Sequence, residues 1–136
     1  MGRIILSFEL DSFAGASVKY TEPGEEGAQE FSAKLTRIPH PDLTDILRTG
    51  LQDWTGFLLG FPEDCRNIVS PCGVAFPKDG YVQITAIVTG PTCIYKVKLP
   101  KVAIPIEYGA LFVGLLSEIG LYLDGKSSQL SLFGES

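Results

Sequence analysis

The chain reads as a single α+β domain: an antiparallel sheet with two helices packed on one face. Three observations predict this. Two neighbouring segments, 81–89 and 93–101, alternate as strands around a short Gly-Pro-Thr turn. Two longer segments, 43–59 and 107–122, repeat apolar residues every three or four positions. The order of elements is strands, helix, strands, helix, with no internal repeat. At 136 residues, 45% hydrophobic and 20% charged, the chain matches one ordinary globular domain and excludes global disorder.

The first strand is predicted over 4–10, with Ile4, Leu6 and Phe8 on one face. A second short strand covers 17–21, and 23–27 (Pro-Gly-Glu-Glu-Gly) is an exposed loop. Phe31, Ala33 and Leu35 alternate in a third strand, so loop and strands form a hairpin. Pro39 and Pro41 stop it. Asp42 is the predicted N-cap of the first helix, with Asp45 at its positive start. That helix buries Leu43, Ile46, Leu47, Leu51, Trp54, Phe57 and Leu58, is weakened by Gly50 and Gly56, and ends at Gly60–Pro62. Trp54 lies in phase with this stripe and reads as a core aromatic.

Residues 62–80 read as irregular, with a short strand at 67–69 or 73–76. In the hairpin that follows, Val82, Ile84, Ala86 and Val88 share one face. The second helix places Leu111, Leu115, Ile119 and Tyr122 on one stripe, with Glu107 and Glu118 as its only charges, and closes at Asp124–Gly125. Gly109 and Gly114 fit close helix packing. The globular domain is therefore 1–125, and 126–136 is a flexible tail.

Charge and composition narrow the function classes. Net charge is −5, from 11 basic and 16 acidic residues, which argues against direct nucleic-acid binding. Lys96, Lys98 and Lys101 read as the solvated face of a strand. The longest uninterrupted apolar stretch, 110–116, is about a third of the ~20 residues a spanning helix needs. No signal peptide develops before Asp11, so no membrane association is expected and the expected location is cytoplasmic. Cys65, Cys72 and Cys93 are odd in number, match no zinc spacing, and read as reduced thiols with two or three buried. No phosphate-binding loop, dinucleotide fingerprint, zinc-protease motif or nucleophile elbow is present, and a pairing of Cys72 with His40 has no local support. No catalytic residue, metal or cofactor is predicted.

The end of the chain is different. Lys126, Ser127 and Ser128 precede Gln129, Leu130, Ser131, Leu132 and Phe133, and Gly134, Glu135 and Ser136 follow. Three large apolar side chains stand among small polar ones and require a cover. These five residues resemble, at all five positions, the Gln-Leu-Ser/Asp-Leu-Phe pentapeptide by which bacterial polymerases and repair proteins bind the replicative sliding clamp. The resemblance covers five residues of 136 and implies nothing about the body. It implies Gln129 as polar anchor, Leu132 and Phe133 as buried anchors in an apolar cleft, Leu130 as a secondary contact, and Ser131 as spacer. The expected function is a non-enzymatic accessory protein of replication, repair or a mobile element, docked on the clamp by its tail. Two other classes stay open: a small-ligand-binding or catalytic domain with a structural C-terminal strand, and an inhibitor or immunity protein.

Overall fold

The computed structural model describes residues 3–11 and 15–126. Seven strands form one antiparallel sheet: β1 (Ile4–Leu10), β2 (Ala16–Gly24), β3 (Gly27–Leu35), β4 (Val69–Ala75), β5 (Tyr81–Thr89), β6 (Ile94–Lys98) and β7 (Val102–Ala103). The order across the sheet is β3-β2-β1-β4-β5-β6. Past β6 the chain stays on the same edge of β5: Leu99 N–H donates to Ile84, and β7 then pairs with Tyr81 and Val82. The helices are α1 (Pro41–Asp45), a π turn (Ile46–Gly50), α2 (Leu51–Leu58) and α3 (Gly109–Leu123), with 3-10 turns at Glu63–Ile68 and Ile106–Tyr108. The α+β class is as predicted.

The core lies between the sheet and the helices. Phe8, Val18, Val74, Val82 and Ile84 of the sheet meet Leu47, Leu51, Trp54, Phe112, Leu115, Ile119 and Tyr122 of the helices. Burying each large side chain contributes roughly 1.5–3 kcal/mol. Trp54 stacks on Tyr108 at 5.0 Å and meets Phe112 edge-on. It is a core aromatic.

Several expectations need correction. In β1 a bulge between Ile5 and Ser7 shifts the phase, so Ile5 and Phe8 face the core and Ile4 is exposed. The loop at 23–27 shrinks to a Glu25–Glu26 turn, because β2 and β3 stay paired out to Gly24 and Gly27. Asp42 is not the N-cap. Pro41 takes the first helical position, and His40 caps it, its Nδ1 accepting from Asp42 N–H at 3.0 Å. The first helix is continuous only through its π turn, and Phe57 lies outside the buried stripe, largely exposed with the Arg66 guanidinium over its ring. Gly56 sits where an added Cβ would lie 2.4 Å from Arg66 Cγ, so a close contact with the 3-10 turn explains the glycine. Residues 69–75 are a full inner strand. Of the cysteines only Cys72 is buried; Cys65 and Cys93 are exposed. An added Cβ at Gly109 would meet nothing within 4 Å, so helix packing does not explain that glycine.

Candidate functional site

The predicted tail begins at a closed helix end. Gly125 has φ +119, its N–H donates to Tyr122, and Lys126 N–H donates to Leu121. That is a Schellman closure, which glycine permits at positive φ. The Lys126 ammonium then donates to Asp42 Oδ2 and Glu118 Oε1, both at 3.0 Å. The Lys126 hydrogen bond holds the Asp42 carboxyl below the usual carboxylate range, and Asp42 and Glu118 together raise the Lys126 ammonium. The first residue of the predicted tail is thus tied to the start of α1 and to α3. Gln129, Leu130, Leu132 and Phe133 lie outside the described residues.

The sheet face away from the helices is a trough of about 780 Å³. Two cross-strand rows build it. One runs Ser32, Lys19, Ser7, Ala75, Gln83, and the other Lys34, Ser17, Glu9, Gly73, Thr85, Lys98. Strand alternation sends these side chains opposite to the core row of Val18, Phe8, Val74 and Ile84. The middle strands carry Ser7, Gly73 and Ala75 beside the longer Glu9, and the flanking strands carry lysine. Depth follows from that difference in side-chain length. Gln83 is held by its amide donating to Leu99 O at 2.9 Å. Lys96 pairs with Glu9 at 2.5 Å, and this hydrogen bond raises the Lys96 ammonium. Hydroxyls, the ammonium groups of Lys19, Lys34 and Lys98 and the carboxylates of Glu9 and Glu30 line the trough, which suits polar groups. Of the three lysines noted in the sequence, Lys98 lines it, Lys96 is tied to Glu9, and Lys101 is exposed beyond β6. Lys19 and Lys34 were not singled out; the signal was their place, opposite in phase to Val18 and Leu35.

The structure does not join His40 to Cys72. His40 serves as a helix cap. Burial, and then the nearby Glu9, pushes the Cys72 thiol up, away from the thiolate a nucleophile needs. Among the described residues, no group of three or more His, Cys, Asp or Glu side chains could hold a metal ion. Glu63 and Asp64 are exposed in a 3-10 turn.

Comparison with family models, curated proteins and solved structures finds no match to this chain.

Proposed function

We propose that this protein is a non-enzymatic adaptor whose C-terminal residues Gln129, Leu130, Leu132 and Phe133 dock on the bacterial sliding clamp, in replication, repair or a mobile element. The observation that carries the reading is the five-position match at 129–133. The closed end of α3 supports it: the last helix among the described residues is capped before the motif begins. Leu132 and Phe133 supply most of the binding energy, as large apolar anchors in a desolvated pocket do. A five-residue anchor gives an affinity on the order of micromolar, about −8 kcal/mol. Fluorescence polarisation of a labelled 126–136 peptide against purified clamp tests it. Phe133→Ala costs about 2 kcal/mol or more, and Ser131→Ala is nearly silent. No binding at hundreds of micromolar, or full binding by the Phe133→Ala peptide, refutes the reading.

A second reading is a ligand-binding domain, and the polar trough favours it. In that case the segment carrying Leu130 and Leu132 is a structural strand, and deleting 127–136 destabilises the fold.

A further inference from the structure

We infer that the open edge of β3 is a self-association surface, pairing antiparallel with β3 of a second copy about a two-fold axis at Ser32. This rests on the described strands alone and is independent of the clamp reading.

The two edges of the sheet, β3 and β6, differ. The β6 edge is five residues long, and its charges, Lys96 and Lys98, have one sign. It has no carboxylate to offer a second copy of itself. The β3 edge is nine residues long, and its register with β2 runs from Ala16–Leu35 to Gly24–Gly27 without a bulge. Among the described residues no strand lies beyond it. Pro23 has no N–H to donate, so its pair with Ala28 is a wide one. Alternation from that pair turns the N–H and C=O groups of Ala28, Glu30, Ser32 and Lys34 outward. A long, regular edge with free backbone groups is a template for another strand.

The charges identify that strand. Glu30 and Lys34 are the only charged residues of β3, and Ser32 lies midway between them. Within one copy, Glu30 stands across from Thr21 and Lys34 from Ser17, neither against an opposite charge. Glu30, Ser32 and Lys34 all line the trough face. An antiparallel second copy centred on Ser32 sets each Glu30 directly opposite the other copy's Lys34, with both side chains on that same face. Two such ion pairs form in each dimer. On the core face, each Phe31 comes opposite the other copy's Ala33. Phe31 stacks on Tyr20 and is still 37% exposed, so it has surface left to cover. Other registers lose the match. Centring on Glu30 or on Lys34 sets like charges together, and centring on Phe31 or Ala33 leaves both charges opposite uncharged residues. The two-fold also closes the assembly, whereas β3 pairing with β6 of the next copy would run on as a filament. One strand edge is small against the ~800 Å² per partner of a standard interface, so the association is weak.

The test is sedimentation equilibrium of the full chain from low micromolar to several hundred micromolar. The wild type shifts from monomer to dimer. Glu30→Lys creates two like-charge pairs in the dimer, and so does Lys34→Glu; each raises the dissociation constant about tenfold or more. Both positions are exposed, so both variants keep the wild-type melting curve, which separates lost association from lost folding. An equimolar mixture of the two variants restores association to within about threefold of wild type, because each strand then faces its complement. Ser32→Pro removes an outward N–H that β2 does not use, and abolishes association in a folded protein. A wild type that stays monomeric overturns the inference. So do single variants that associate normally, a mixture that recovers nothing, or a folded Ser32→Pro variant that still dimerises. Oligomers that grow beyond the dimer identify β3–β6 pairing and also overturn it. Loss of association on deleting 127–136 does the same, by making the tail the occupant of the edge.

Discussion

Tyr122 is the most informative side chain to perturb. It joins three elements at the C-terminal end of α3. Its ring meets Phe8 of β1 edge-on at 6.2 Å, and the Arg37 guanidinium lies over it at 5.1 Å. Its hydroxyl donates to the Arg37 carbonyl at 2.7 Å, and Arg37 in turn donates to the Tyr122 carbonyl. Tyr122→Phe keeps the ring contacts and removes one donor, leaving a part-buried carbonyl without that partner. The expected cost is about 1–1.5 kcal/mol. For a chain of this length, that lowers Tm by about 3–5 °C. Tyr122→Ala removes the ring as well and costs about 3–5 kcal/mol. Burial pushes the Tyr122 phenol up, partly opposed by Arg37. The neutral form is the folded form, so its contribution is complete below the ordinary tyrosine pKa and is lost as pH rises through the folded value. Urea unfolding at neutral and alkaline pH therefore separates the effects. Tyr122→Phe is less stable at neutral pH and loses less on alkalinisation. Tyr108, raised chiefly by burial, leaves a residual slope. A Tyr122→Phe protein that melts with the wild type at neutral pH refutes the reasoning.

Three further outcomes are expected. Gly15→Ala places a Cβ 1.7 Å from the Leu35 carbonyl oxygen, a clash with backbone; circular dichroism should show a fold destabilised by several kcal/mol, and a wild-type melt would contradict this close approach of Gly15 to the end of β3. The Asp42 carboxyl, followed by NMR, should titrate below the ordinary range and return to it in Lys126→Ala; the contact to Lys126 is kept above the ordinary carboxylate pKa and lost as pH falls through the folded value. Deleting 127–136 should shift Tm by only a few degrees, equivalent to under ~1 kcal/mol, while abolishing clamp capture; a collapse of stability would favour the structural-strand reading.

How much of this was legible in the sequence depended on whether one period ran unbroken. β5 has no interruption, and its four alternating residues, Val82, Ile84, Ala86 and Val88, are all buried. β4 was hidden by Pro71 and Gly73, residues that local rules remove from inner strands. Here a register shift between them accommodates the proline, and the glycine leaves room where an added Cβ would come within 3.1 Å of the Phe8 carbonyl oxygen. The proline's reason lies in the pairing with β5 and the glycine's in β1, more than sixty residues away, so no local window contains both. The β1 bulge similarly reversed the faces of Ile4 and Ile5. The trough was invisible because it is defined by what six strands lack. Each serine, alanine or glycine reads as ordinary surface until cross-strand pairing sets them side by side.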